Sequence, residues 1–220
     1  MARFLLLFLA LTTGVFALNA AGPRTVIVFG DSITEGGALP KDQKEQLWVK
    51  LIEAQSPGAL TIINEGKGGR PTHSLKEFEA MLQRRPKADA LVIALGMNDS
   101  RDITTNCVPK AVANVRAMVE RARQKYGAQF PVLLLGPTNI NRAALGPTKP
   151  IGEQRETQLR ELGTAFARLA NEQHTEFESQ FGIVPESSLL KDGVHPDAGG
   201  NAAIAKALGP RLRAWLATDR

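Results

Sequence analysis

Short apolar runs that alternate with segments of helical period leave this chain very few architectures. Thr25-Val26-Ile27-Val28-Phe29, Leu60-Thr61-Ile62-Ile63, Ala90-Leu91-Val92-Ile93-Ala94-Leu95 and Pro131-Val132-Leu133-Leu134-Leu135 read as strands, apolar or β-branched at nearly every position. A strand covered on one face alternates, whereas one without alternation is covered on both. Between them lie helical spacings: Leu47, Leu51, Ile52 and Ala54 before Pro57-Gly58; Phe78, Met81 and Leu82 behind a Ser74/Glu77 capping box; Val112, Val115, Val119 and Ala122 up to Gly127. Leu159, Leu162, Phe166 and Leu169 mark a further helix and Ile204, Leu208, Leu212 and Trp215 the last, with a weak fifth strand between residues 175 and 184. Such alternation builds a parallel sheet with helices on both faces. The expectation is a three-layer α/β/α sandwich on a parallel five-stranded sheet, with the run at 90–95 at its centre. The 220 residues suit one domain, able to bury roughly 70% of its unfolded surface without a metal or disulfide.

Residues 1–20 stand outside this pattern. Arg3 precedes an almost unbroken apolar stretch from Phe4 to Leu11, and small residues follow, with cleavage ends after Ala17 or Ala20. That order is the signature of a secretory signal peptide. A membrane anchor needs about 20 apolar residues, and Thr12, Thr13 and Gly14 interrupt this stretch. The expectation is an exported protein, periplasmic or secreted, with no stable membrane anchor and a domain over residues 21–220.

Cys107 is the single cysteine, so no intramolecular disulfide is available. Its neighbours Thr105, Asn106, Val108 and Pro109 supply no base or cation to activate a thiol, which favours a packed side chain. The formal charge is +5, aromatics make up 5%, and the cations are spread along the helices with no stacking motif among them. Nucleic-acid binding has no footprint here.

In open parallel sheets ligands bind beyond the carboxyl ends of the strands, and four polar turns fall there. Gly30-Asp31-Ser32 follows the first strand, Asn64-Glu65-Gly66-Lys67-Gly68-Gly69 the second, and Gly96-Met97-Asn98-Asp99 the third, while Asp192-Gly193-Val194-His195-Pro196 precedes the last helix. A serine hydroxyl becomes a nucleophile when a base takes its proton, and a histidine base needs a carboxylate to set its tautomer. Ser32, His195 and Asp192 supply that set, the latter two from one turn. The developing oxyanion needs donors, for which the Ser32 N–H, the Gly69 N–H and the Asn98 amide are available. Each piece has a plainer reading: a Gly-Asp-Ser turn, an Asn98-Asp99 turn cap, or Asp192 and His195 as metal ligands. No further His or Cys pair is spaced to complete a metal site. His73 reads as a surface residue, and His174 lies near a helix end where a cationic ring is favoured.

Taken together, these four segments resemble the blocks of the SGNH hydrolase, or GDSL, family over almost the whole length after residue 20. The resemblance places the nucleophile on Ser32, the block-two glycine on Gly69, the block-three asparagine on Asn98, and the final pair on Asp192 and His195. It implies a flavodoxin-like fold, a serine esterase needing neither cofactor nor metal, and a nucleophile outside the Gly-x-Ser-x-Gly elbow, a motif this chain lacks. Asn64 to Thr72 and Ile151-Gly152-Glu153-Gln154 are similar to the arylesterase and acyltransferase-like branch, which acts on short acyl esters such as acetates. Lys67-Gly68 departs from it, since more side-chain bulk is usual there. The expected substrate is a small ester or an acetylated glycan. Thioesterase or lysophospholipase action, and a non-catalytic carbohydrate- or ester-binding module, are the alternatives. Residues 137–152, rich in Pro, Asn and Gly, are expected to form a loop over the site.

Overall fold

The structure, a computed structural model, describes residues 22–145 and 152–217. The signal-peptide reading of residues 1–20 therefore lies outside the described residues. Five parallel strands form one sheet: β1 (Arg24–Gly30), β2 (Leu60–Gly66), β3 (Ala90–Ala94), β4 (Val132–Leu135) and β5 (Glu176–Glu178). Their order is β2-β1-β3-β4-β5, the flavodoxin-like order, with the expected central β3. Every pairing is parallel, with Gly30 opposite Gly66 on one side and Ala94 on the other.

Period-two alternation explains why the strands read as apolar throughout. Val26, Val28, Val92, Leu133 and Leu135 face one layer, where they meet helices α2 (Trp48–Ala54) and α7 (Ala198–Ala217) through Ile52, Ile204 and Leu208. Ile27, Phe29, Leu91, Ile93 and Leu134 face the other. There they meet α3 (Leu75–Arg84), α4 (Cys107–Tyr126) and α6 (Gly152–Gln173) through Met81, Met118 and Phe166. Burying an aliphatic or aromatic side chain of this size contributes roughly 1.5–3 kcal/mol, so both faces stabilise the sheet. Asn201 of α7 adds a polar lock: its Oδ1 accepts from the Trp48 amide at 3.1 Å, capping the start of α2, which has no cap in its own sequence.

Two local expectations are corrected. Ser74 precedes α3 without making a side-chain cap, and the return half of a capping box is absent too, since the Glu77 carboxylate is held by Lys67 at 2.7 Å and Arg70 at 3.1 Å while the Ser74 amide donates to the Pro71 carbonyl. Residues 137–152 are not wholly loop: helix α5 (Arg142–Leu145) forms within them and α6 begins at Gly152.

The end of β2 shapes the turn that follows β1. A four-residue helix, α1 (Ser32–Glu35), lies so close to Gly66 that a Cβ there would stand 2.2 Å from the Glu35 amide nitrogen. Asn64 holds the contact by donating to the Thr34 carbonyl at 2.8 Å. Gly66→Ala must push backbone from backbone, and overpacking of this kind costs about 3 kcal/mol. Urea denaturation is expected to show that loss; a midpoint equal to the parent's would disprove the close contact.

Candidate active site

Topology selects the location. The strand order reverses between β1 and β3, and the crevice beyond such a reversal is where open α/β sheets bind ligands. Ser32 leaves the end of β1 and Asn98 lies just past the end of β3, on the two sides of that crevice.

Asp31 starts α1 as its N-cap, its Oδ1 accepting from the Ile33 amide at 3.0 Å. The Gly36 amide closes the turn on the Ser32 carbonyl at 3.0 Å. This short helix presents Ser32 half-buried, with its amide in the first turn, where no intrahelical acceptor exists.

The turn before α7 brings up the other two members. Asp192 Oδ1 accepts from the amides of Val194 and His195 at 2.9 and 3.0 Å, an Asx-type turn that reels the chain back on itself. Leu190 and His195 exchange a backbone bond of 2.8 Å, and the Asn141 amide donates to the Gly193 carbonyl at 2.9 Å. So anchored, the His195 ring stands with Nδ1 2.5 Å from Asp192 Oδ2 and Nε2 2.8 Å from Ser32 Oγ. A carboxylate only accepts, so Nδ1 carries the ring proton and Nε2 turns its lone pair toward the serine hydroxyl. Burial acts to raise the Asp192 carboxyl, but the donors from His195 and Val194 outweigh it and hold it below its usual value.

Gly69 has φ of +72° with open space where a Cβ would be. Backbone conformation, and not crowding, requires glycine there. Asn98 is set by its neighbours. Its Nδ2 donates to the Arg70 carbonyl at 3.1 Å, which ties it to the segment just past Gly69. Asp99 is no local turn cap: both its oxygens accept from the Thr72 amide, at 3.1 and 3.0 Å, and Oδ1 from the Thr72 hydroxyl at 2.5 Å. The four segments singled out in the sequence thus meet at one edge of the sheet.

Arg155 of α6 is a residue that the sequence reading missed. Only 3% exposed, it donates from Nε to Ser100 Oγ at 3.0 Å and from Nη2 to the Met97 carbonyl at 3.2 Å. It braces both sides of Asn98. Burial, with Arg101 nearby, brings its pKa down to about 10, which still leaves it charged at neutral pH. The signal was present: Arg155 lies four residues before Leu159 on the same stripe, a place that marks a buried side chain.

The remaining candidates take no part in the row from Ser32 to Asp192. His73 and His174 are exposed, the latter with φ of 50° at the end of α6. Cys107 is buried, its Sγ donating to the Asp99 carbonyl at 3.2 Å. Burial, reinforced by the carboxylates of Asp99 and Asp102, pushes the thiol up to about 11, so it carries no thiolate at neutral pH. Among the described residues no three His, Cys, Asp or Glu side chains converge on a metal position, and no helix is long and apolar enough to cross a membrane. A groove of about 530 Å³ opens beside Asn98, lined by Pro71, His73, Asp99, Asp102 and Lys110.

A parallel α/β/α fold of this order thus carries a serine, a histidine and an aspartate in one hydrogen-bonded row beyond its strand ends. The comparisons with known proteins give the family. The profile of the GDSL-like lipase/acylhydrolase family matches residues 28–203. The chain belongs to that family and is a carboxylic ester hydrolase. No curated protein matches the sequence. Among solved structures, a carbohydrate acetylesterase family member from Sinorhizobium meliloti shares 21% identity at a TM-score of 0.72, over 89% of this chain and all of the other, 100%. A candidate arylesterase from Agrobacterium tumefaciens str. C58 shares 25% identity at 0.67, over 87% and 99%. An aryl esterase from M. smegmatis shares 20% at 0.69, also over 87% and 99%.

Asp31 gives the site a pH signature of its own. Burial outweighs the Ile33 hydrogen bond and the field of His195, raising its carboxyl from 3.8 to about 6. The folded form therefore keeps a proton that the unfolded chain gives up, and this contribution to stability falls as pH rises between those two values. Subtracting the stability of Asp31→Asn from that of the parent, measured by urea denaturation, is expected to leave a difference that declines by about 2 kcal/mol from pH 4 to 6 and is flat above 7. A level difference throughout would mean that the Asp31 carboxyl titrates at its ordinary value.

Proposed function

We propose that Ser32 is the nucleophile of this ester hydrolase, His195 its general base and acid, and Asp192 the carboxylate that orients the ring and stabilises its protonated form. The observation behind the reading is the unbroken row from Ser32 Oγ to His195 at 2.8 Å and on to Asp192 at 2.5 Å, set where the strand order reverses. His195 takes the serine proton as Oγ attacks the ester carbonyl carbon. The carbonyl oxygen gains negative charge, which the Ser32 and Gly69 amides and the Asn98 side chain receive. Collapse of the tetrahedral intermediate expels the alcohol, to which His195 gives the proton, and water then repeats the sequence on the acyl-enzyme.

The substrate we propose is a short acyl ester, acetyl or aryl. The names carried by the relatives from S. meliloti, A. tumefaciens and M. smegmatis support this, as does the groove beside Asn98. The sequence carries no long apolar insert that would line an acyl groove, which disfavours a long-chain thioester or lysophospholipid. The polar lining from His73, Asp102 and Lys110 favours a second reading, removal of O-acetyl groups from a carbohydrate. A non-catalytic binding module would lack one of the reacting groups, and the presence of Ser32, Gly69, Asn98, Asp192 and His195 in this chain supports the catalytic reading over it. Export, to the periplasm or beyond, is proposed on the charge, apolar run and small residues of positions 1–20.

Ser32→Ala should no longer be labelled by a fluorophosphonate probe; persistent labelling would sink the assignment of the nucleophile. Asn98→Ala should lower kcat on p-nitrophenyl acetate by about 10²–10³-fold, the usual cost of an oxyanion donor, and an unchanged rate would remove Asn98 from the mechanism. Across p-nitrophenyl esters with two, eight and sixteen acyl carbons, kcat/KM should fall steeply with length. A rise toward the longest ester would overturn the short-acyl reading, and an acetylated glycan tested alongside separates the two short-acyl alternatives.

A further inference from the structure

Gly69 is followed by an arginine whose side chain the proposed cycle does not use. Arg70 is 7% exposed, yet no element buries it as a plain core residue. Its Nη1 donates to the Gly30 carbonyl at 2.7 Å and also to the Glu65 carbonyl. Its Nε donates to Glu77 Oε2 at 3.1 Å, and its Cζ lies 4.0 Å from the centroid of the Phe29 ring. Its own carbonyl receives the Asn98 amide at 3.1 Å.

These contacts reach the segments of all three proposed oxyanion donors. Gly30 is two residues before Ser32, Gly69 is the adjacent residue, and Asn98 is bound directly. We propose that Arg70 is the positioning residue of the oxyanion site, fixing how the Ser32 amide, the Gly69 amide and the Asn98 side chain stand relative to one another. The proposal rests on the reading of those three groups as the oxyanion donors.

The need for an arginine follows from the sheet edge. The carbonyls of Gly30 and Glu65 lie at the carboxyl ends of β1 and β2; the Lys67 amide gives the Gly30 carbonyl one donor at 3.1 Å, and Arg70 adds a charged donor to both, of a kind worth about 1.5–3 kcal/mol. One guanidinium nitrogen, Nη1, serves both while Nε holds Glu77 and Cζ lies over the Phe29 ring, so the rigid group ties the two strand ends to α3. Lysine has donors enough for the two carbonyls, but no second nitrogen to hold Glu77 at the same time and no rigid planar group to set over Phe29. Glu77, itself held by Lys67 at 2.7 Å, completes the clamp from α3. Arg70 touches no reacting atom in this scheme. It acts through Asn98 and the two amides, whose placement to within an ångström is worth on the order of 10² in rate.

A prop that merely holds the fold and a residue that sets the oxyanion donors give different results on the full chain. Arg70→Met and Arg70→Lys are assayed on p-nitrophenyl acetate, with active sites counted by fluorophosphonate end-point labelling so that unfolded protein is excluded. The expected result is a kcat loss of about 10–100-fold for Arg70→Met with KM within about twofold, and a smaller loss for Arg70→Lys. The deciding measurement is the pairing with Asn98→Ala. Once the Asn98 donor is gone, its alignment has little left to lose, so the double variant should be far less impaired than the product of the single losses. Losses that multiply, or a per-site kcat equal to the parent's in Arg70→Lys and Arg70→Met, overturn the proposal for Arg70 alone. A neutral Asn98→Ala overturns the oxyanion reading beneath it, which makes the two failures distinguishable. If Arg70→Met does not fold, the same cycle run with Arg70→Lys decides.

Discussion

Parallel strands all end on the same side, and their last carbonyls and amides project past the sheet into turns that no neighbouring strand can satisfy. Everything at this site depends on how that edge is closed. β1 and β2 end in register at Gly30 and Gly66, and the turns that follow bring polar groups back over the ends: Asn64 onto Thr34, Asp31 onto its own helix, Asp99 onto Thr72. The same groups that satisfy the edge also determine where Ser32 and Asn98 can stand. Edge closure and site geometry are one problem here, solved by one set of hydrogen bonds.

Much of the fold was legible because a strand covered on both faces has an unmistakable composition. Three of the four long runs became strands within a residue of their expected ends, the second runs three residues further to Gly66, and the apolar stripes at 78–82, 115–122 and 204–215 face the sheet as read. Where the reading failed, a side chain had a better partner far away in sequence. Ser74 and Glu77 have the spacing of a capping box, but Lys67 and Arg70 offer Glu77 ion pairs that a local cap cannot match. Asp99 has the look of a turn residue and instead reaches Thr72, 27 positions back.

The site shows the same division. Ser32, Asp192, His195, Gly69 and Asn98 were readable because chemistry restricts which residue types can take each part, and strand ends restrict where they can be. Asp31 and Arg155 were not, because a buried charge leaves no mark of its own on composition. Only the stripe position of Arg155 betrays it, and nothing local announces that Asp31 is enclosed enough to titrate near 6. Polar residues acting through others are visible only once the chain is folded around them.

Ser32 and His195 are 163 residues apart. The serine follows the first strand, and the histidine sits on the turn before the last helix, whose Asn201 locks onto the start of α2. No partial product of synthesis or unfolding that lacks this final docking can bring the ring to the hydroxyl. On the proposed mechanism, hydrolytic activity is therefore among the last properties the chain acquires. A chain caught half-made holds Ser32 without the ring that would take its proton.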